Sequence, residues 1–502
     1  MPKRILVLLL LIGACSTPRT WAQSPCSTTS LTSHVICTIP QLYGPAGLSN
    51  GGALAPVGDH QGHYESDFQQ SLSAVNGAIA SELSFLPLSS PSSGLSFVFD
   101  KSLGVFVASD ASFGPILSER AGTIGRNRFA VGVSYEYFNF NSVDGIGLKN
   151  FPVVFLHSDN CTDSPTTCNP TPPTTVINCS VNNGLTSSTG DKRNKGKCGF
   201  VRDYIVTQNR IDLKLHQTTI YASFGLTNRI DIAVAIPIVD VAMRASSAAT
   251  MVPNSMSGLH VFANPDAATC TASVPPPGSP CYSDFFSSAR SSTGIGDITI
   301  RGKAELIRGE HSGVSAAVDV RAPSGDELNF QGTGTWGTRI FGIWSYSGRF
   351  SPHVNAGYEW NGKSILAGDI FSGTKASLPN QFFYSAGVEA AVVKRLTLTF
   401  DLVGQRIIDG QKLVRSDATV LGPCDTPALP PFSTACQNPG PAAFVPSVTG
   451  VTSSYNMTNA AAGFRFNPFS RLLITANALF KLDEGGMRAN VVPLIGVSYT
   501  FR

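Results

Sequence analysis

The feature that most constrains this chain is a two-residue alternation of apolar and polar side chains that recurs from Arg128 to the end. Ile230, Ile232, Val234, Ile236 and Ile238 share one face, opposite Asp231, Ala233 and Ala235. Leu396, Leu398, Phe400 and Leu402 oppose Thr397, Thr399 and Asp401, and Leu472, Ile474, Ala476, Ala478 and Phe480 oppose Thr475, Asn477 and Lys481. Successive strand side chains point to opposite faces, so this period predicts strands with one apolar and one polar face. The pattern places them near 128–141, 203–224, 229–245, 294–308, 312–322, 338–350, 352–362, 381–393, 395–408, 455–467, 470–482 and 488–501. Every second connection is a tight turn, whereas those near 142–202, 246–293 and 409–454 are long. Short turns on one rim and long loops on the other are the signature of a transmembrane β-barrel, apolar outside and polar inside. The expected fold is all-β: an antiparallel transmembrane barrel of about 12–14 strands over residues 128–502. Residues 23–127 would form an N-terminal plug or periplasmic segment, with a short helix around Phe68–Leu83. A soluble β-sandwich also alternates, but it would carry its charge on outer faces around one core.

Charge and targeting agree with a lipid-facing surface. Lys and Arg number 36 and Asp and Glu 33, so 14% of the 502 residues are charged, where soluble domains carry roughly 25%. The net charge of +3 is spread thinly, without the basic stripe of a nucleic-acid binder. Beyond residue 15 no apolar run approaches the ~20 residues of a membrane helix. Met1-Pro2-Lys3-Arg4, the apolar run to Cys15 and Thr20-Trp21-Ala22 have the three-part form of a secretory signal peptide, residues 1–22. Ile12-Gly13-Ala14-Cys15 also loosely matches a lipoprotein cleavage box, the rival reading. Every other cysteine has a near neighbour: Cys26/Cys37, Cys161/Cys168, Cys179/Cys198, Cys270/Cys281 and Cys424/Cys436. No CxxC occurs and no His stands at zinc-ligand spacing, so local disulfides made in an oxidising compartment are expected. All these pairs but the first lie in the three longest loops, which would share the extracellular rim.

Motifs for chemistry are sparse. Gly332-Thr333-Gly334-Thr335-Trp336-Gly337 fits GxGxxG, but a dinucleotide site needs a parallel strand before it and a helix after it. His60 and His63 lack a third ligand, and there is no GxSxG elbow. No enzyme, cofactor or metal is expected. The inward face would carry the acids Glu136, Asp231, Asp297, Glu305, Asp319, Glu359, Glu389 and Asp401 and the bases Arg301, Lys303, Arg321, Arg465 and Lys481. A selective porin concentrates one sign at a constriction; mixed charge suits cross-strand ion pairs that brace a narrow or plugged interior. A turn at Gly309–His311 would set Arg301 directly opposite Asp319.

The chain closes on Gly496-Val497-Ser498-Tyr499-Thr500-Phe501-Arg502. Gly496, Tyr499 and Phe501 resemble the C-terminal assembly signal of Gram-negative outer-membrane proteins, which implies that location and the barrel-assembly machinery as a partner. Three stretches, Tyr221–Asp231, Gly294–Ile298 and Ala322–Asp326, resemble the outer-membrane barrels named after the meta-pathway of phenol degradation. That family is similar to the long-chain fatty-acid and aromatic-hydrocarbon channels. The resemblance implies passive uptake of small hydrophobic compounds, with such a ligand and outer-membrane lipid as partners. The Asn-Pro-Ala plug motif of the fatty-acid channels is absent from this chain. A non-transporting barrel that binds a partner through disulfided loops, or a general diffusion porin, are the alternatives. One local feature invites a mechanism. Ile211, Leu213 and Leu215 place odd positions of one strand on the apolar face, but Ile220, Ala222 and Phe224 place even positions there. A regular strand cannot change parity, so a β-bulge is expected within Lys214, Leu215, His216, Gln217, Thr218 and Thr219. In the channels this chain resembles, a kinked strand opens a side window, which makes this stretch a candidate lateral gap.

Overall fold

The computed structural model describes residues 25–26, 30–44, 64–65, 72–85, 97–100, 105–108, 113, 116–157, 203–254, 262, 282–370, 372–420, 422–423, 440–469 and 471–501. Among them, 12 antiparallel strands close into a barrel. The wall runs β1 (Phe129–Val143), β2 (Tyr204–Gly225), β3 (Ile230–Val252), β4 in two parts (Ser283–Ile295 and Thr299–Arg308), β5 (Ser312–Arg321) and β6 (Gly337–Tyr346). It continues through β7 (Phe350–Asn361), β8 (Gln381–Val393), β9 (Leu396–Val420), β10 (Ala443–Phe469), β11 (Leu472–Lys481) and β12 (Val491–Phe501). β12 returns to β1, with Phe501 opposite Phe129 and Leu494 opposite Glu136. Closure leaves no free edge in the membrane, where an unpaired backbone group has no water to satisfy it.

The outward positions are large and apolar yet exposed, as lipid contact requires: Ile220, Ile232, Ile300, Ile340 and Phe400 are examples. Aromatic residues edge this band on both sides. Phe129, Phe224, Trp344 and Phe501 lie near the short-turn rim, and Tyr135, Trp360 and Phe382 near the other.

Several strands outrun the sequence expectation. β3 extends to Val252, β9 to Val420, and β10 begins at Ala443, inside stretches read as loops. A strand needs only ~9–11 residues to cross a bilayer, and β2 has 22. Above the membrane the outward face meets water, so the apolar signal that marks a strand there disappears.

The same cause corrects the expected bulge. β2 pairs with β3 without interruption from Tyr204 opposite Val252 to Gly225 opposite Asp231, and with β1 from Lys214 to Phe224. Odd residues stay inward throughout: Leu213, Leu215, Gln217, Thr219 and Tyr221 are all buried. Lys214–Thr219 therefore contains neither bulge nor gap. What changes there is the surroundings of each face. Below, the outward face touches lipid; above, the inward face touches an apolar interior. Parity does change in β4. Ile295 faces outward opposite Ile238, whereas below the break Ile300 faces outward opposite Val234, so Gly296–Ile298 hold the extra residue.

Most of the described N-terminal chain lies inside the barrel, although Leu31 and its neighbours are exposed. Helix α1 (Leu72–Phe85) buries Ala74, Val75, Ala78, Ile79 and Leu83 together with the polar Asn76 and Ser81, so most of its circumference is withdrawn from water. Residues 116–127 thread the short-turn half of the bore. Cys26 and Cys37 form a disulfide, as their spacing predicts. The other four expected pairs lie outside the described residues: Cys161 with Cys168, Cys179 with Cys198, Cys270 with Cys281, and Cys424 with Cys436. Residues 1–22, expected to be a signal peptide, and His60 and His63 lie outside them too.

Candidate functional site

The interior has two storeys with different chemistry. The storey nearer the short turns is a polar belt in which wall and N-terminal chain neutralise each other. Arg301 Nε and Nη2 donate to Asp319 at 2.6 and 2.7 Å, in the register the Gly309–His311 turn predicts. The guanidinium's third arm, Nη1, donates to Glu119 of the threaded segment at 2.6 Å. Lys303 Nζ reaches the other Glu119 oxygen at 3.3 Å, the carbonyls of Arg120 and Gly122 at 3.1 and 2.9 Å, and lies 3.9 Å from Asp231. Arg120 pairs with Glu389. Glu389 also faces His353, whose other nitrogen lies 2.6 Å from Asp401; Asp401 accepts from Ser118 Oγ at 3.3 Å. Backbone amides follow the same logic: Glu119 N–H donates to Asn355, Ala121 N–H to Ser345 and Ile124 N–H to Asp231, at 2.7, 3.0 and 2.9 Å. Arg465 donates to the Phe113 carbonyl at 2.8 Å. A buried ion pair adds little net stability, but it specifies position, because removing one partner strands the other charge out of water.

At the break in β4 the wall grips a second inward element, residues 322–336. Asp297 accepts from Gly325 N–H (3.0 Å), Thr333 N–H (2.8 Å) and Thr333 Oγ1 (2.6 Å). Ser324 Oγ donates to the Gly296 carbonyl and receives Ile298 N–H, at 2.7 and 2.8 Å. The approach is close enough that a Cβ on Gly294 would strike Gln331 and one on Gly332 would strike Asp297. The glycine run at Gly332–Gly337 thus serves close contact with the wall, not a nucleotide. Phe330, which follows the 3-10 turn Glu327–Asn329, is buried with φ of +53°, a left-handed conformation that costs a bulky residue roughly 1–3 kcal/mol. Beside this loop is a cavity of about 40 Å³ between Leu83 of α1, Pro237 and Val239 of β3, Asp297 and Arg321. That is room for water, not for an aromatic ring.

The storey toward the long loops is an apolar core packed around α1. Leu213, Leu215, Val239, Val241 and Met243 point inward around α1, with Phe138 and Leu479 from other wall strands and Phe151, Ile365 and Leu366 from the segments Phe151–His157 and Lys363–Asp369. Residues 30–44 cover one side: Tyr43 Oη contacts Asn209 and Ser247 at 3.2 and 2.9 Å, and Arg290 donates to Thr32 O and Gln41 at 2.7 and 2.8 Å. In α1, burial pushes the Glu82 carboxyl up to about 7, with Arg488 pulling the other way.

Of the residues expected inward, Asp231, Asp297, Lys303, Glu305, Asp319, Arg321, Glu359, Glu389, Asp401 and Arg465 are buried, and Arg301 nearly so. Glu359 takes Arg339 and Arg321 at 2.6 and 3.1 Å, and Glu305 takes Arg308. Glu136 stands apart, fully buried with Gln217 Nε2 at 3.3 Å. Lys481 sits at the rim, paired to Glu484 at 2.7 Å. Sequence reasoning missed Glu119, Arg120, His353 and Arg339. An adjacent acid and base in an otherwise weakly charged stretch just before the first strand was the available signal for the first two.

Residues 213–424 match the family model described as "Putative MetA-pathway of phenol degradation". Those 212 of the 502 residues carry that family's pattern. The match begins in β2 and ends beyond β9, taking in the break in β4 and the inward loop. The three stretches that carry the resemblance each hold something inside the barrel. In Tyr221–Asp231, Asp231 grips Ile124, the Asn228 carbonyl takes Thr123 Oγ1 at 2.9 Å, and a Cβ on Gly225 would collide with the Gly125 carbonyl. Gly294–Ile298 grips Ala322–Asp326. No curated protein matches the chain. Similar solved structures include an outer-membrane channel from Pseudomonas putida F1, at 8% identity over 76% of this chain and 99% of that one, with a TM-score of 0.39. A FadL homologue of Pseudomonas aeruginosa covers 82% and 96% at 10% identity and a TM-score of 0.27. The toluene transporter TbuX of Ralstonia pickettii covers 76% and 92% at 10% identity and a TM-score of 0.25. The fold is a closed antiparallel β-barrel with an apolar outer band.

Proposed function

We propose that this barrel is a channel for passive uptake of small hydrophobic compounds, aromatic or fatty-acid-like. The observation that carries the reading is the apolar character of the interior toward the long loops. A general diffusion pore is lined with polar groups, whereas here the inward positions toward the loops are Leu, Ile, Val, Met and Phe. An apolar compound entering there gains roughly 25 cal/mol per Å² of surface removed from water. The belt of buried charge beneath opposes its descent along the bore, so the exit leads sideways. The break in β4 at Gly296–Ile298, closed by the loop that Asp297 holds, interrupts the wall ladder and is the proposed exit. One observation favours the surface-binding alternative: α1, residues 116–127 and residues 322–336 fill the bore, so passage requires one of them to shift. Purification in mild detergent followed by mass spectrometry of bound lipophiles tests the reading. Stoichiometric recovery of aromatic or aliphatic compounds supports it; a preparation free of them after gentle extraction counts against hydrophobic uptake.

A further inference from the structure

The outer surface of β2, β3 and the upper part of β4 changes chemistry at one height. Below it the outward residues are Ile220, Ala222 and Phe224 on β2 and Ile230, Ile232, Val234, Ile236 and Ile238 on β3. Tyr135, Tyr137 and His216 mark the transition. Tyr135 Oη and His216 Nδ1 are 2.7 Å apart, and the Tyr137 ring lies 4.7 Å from the imidazole. Aromatic groups of this kind settle at headgroup depth. Immediately above come Lys214, Asp212 and Arg210 on β2 and Arg244 on β3.

Arg244 stands opposite Asp212, so Lys214 and Arg210 are its diagonal neighbours, about 7–8 Å away. Asp212 is 3.1 Å from Arg210, whose side chain is 56% exposed. Asp240, opposite His216, is likewise a diagonal neighbour of Lys214, so three cations face two carboxylates and keep a net positive charge. Between them the wall is floored by short side chains: Ala242, with Ser291 opposite it, and Ala289, opposite Arg244. The result is a trough of about 560 Å³ with a basic rim.

We infer that this trough binds a phosphorylated glycolipid of the outer leaflet, with its phosphates on Arg210, Lys214 and Arg244. The depth matches a lipid headgroup, and planar guanidinium forks match phosphate oxygens. The small-residue floor leaves space for a sugar backbone between the cations. The inference rests on the outer-membrane location alone and is independent of what the channel carries.

The test uses the full protein in detergent with bis-phosphorylated lipid A, read by native mass spectrometry. Each surface cation lost is expected to weaken binding roughly fivefold, and the triple variant Arg210→Gln, Lys214→Gln, Arg244→Gln about a hundredfold. Heat-modifiable gel migration checks that the variant barrel assembles; if it does not, Lys214→Gln alone must show its single-site loss. Arg210→Lys with Arg244→Lys keeps the charge but loses the forks, so it should bind more weakly than the parent and more tightly than the neutral triple variant. Unchanged binding by the neutral variants, equal binding of dephosphorylated lipid A or phosphatidylglycerol, or displacement by inorganic phosphate alone would each overturn the assignment.

Discussion

Glu119→Gln removes one negative charge from the centre of the polar belt while keeping the side chain's shape. Glu119 is the meeting point of Arg301 at 2.6 Å and Lys303 at 3.3 Å, both largely withdrawn from water. Breaking a buried pair by removing one partner costs roughly 3–5 kcal/mol. The low end applies, because Arg301 keeps both Asp319 bonds and Lys303 keeps two carbonyl acceptors. A loss of about 3 kcal/mol corresponds to a roughly hundredfold larger open population, since each 1.4 kcal/mol is tenfold. The damage should be local: residues 116–127 loosen, and the barrel stays closed. Hydrogen exchange of the assembled protein in detergent reads this directly, because amide protection reports local opening. The peptide containing Glu119, Ala121 and Ile124 should exchange about a hundredfold faster, with β1 unchanged. Exchange close to the parent rate, in a variant that still migrates as a folded barrel, would refute the idea that these charges hold the segment.

Gly225→Ala places a Cβ against the Gly125 carbonyl, and overpacking of this kind costs about 1–3 kcal/mol or more; lower thermal stability and faster exchange at 123–127 are expected. Asp297→Ala leaves the amides of Gly325 and Thr333 without their acceptor, at about 1–3 kcal/mol for each buried donor stranded. Exchange across 322–336 should then rise at least tenfold, and uptake should increase if this loop closes the exit. Glu82 supplies a pH signature. Its carboxyl lies at about 7 against an ordinary 4.5, so the folded state holds the proton more tightly. Its contribution is therefore full below about 4.5 and is lost as pH rises through about 7. The peptide over 72–85 should exchange progressively faster across that window, beyond the intrinsic rate, and Glu82→Gln should abolish the trend.

The barrel was legible because lipid selects one face of each strand. Ile230 to Ile238 and Leu472 to Phe480 repeat with a period that no helix or loop sustains, and the tight turns fix registers such as Arg301 with Asp319. Legibility ended where lipid ended. The reversal of apolar parity along β2 reads as a bulge if both halves face the same medium; the structure shows one regular strand passing from lipid into water. The real change of parity, at Gly296–Ile298, was silent because Ser287, Ser288, Ser291, Ser292 and Thr293 leave neither face apolar. Inward charges were recoverable by alternation alone. Their partners on the N-terminal side, Glu119 and Arg120, lie in extended chain without any period, and only the folded barrel brings them to Arg301, Lys303 and Glu389.

The most direct test of hydrophobic uptake compares initial uptake rates of a radiolabelled monoaromatic hydrocarbon and a labelled disaccharide. The cells compared either carry this barrel in an otherwise channel-poor outer membrane or lack it. Faster hydrocarbon entry with unchanged sugar entry is the predicted result. Faster sugar entry would identify an aqueous pore, and no change in either rate would contradict a transport role.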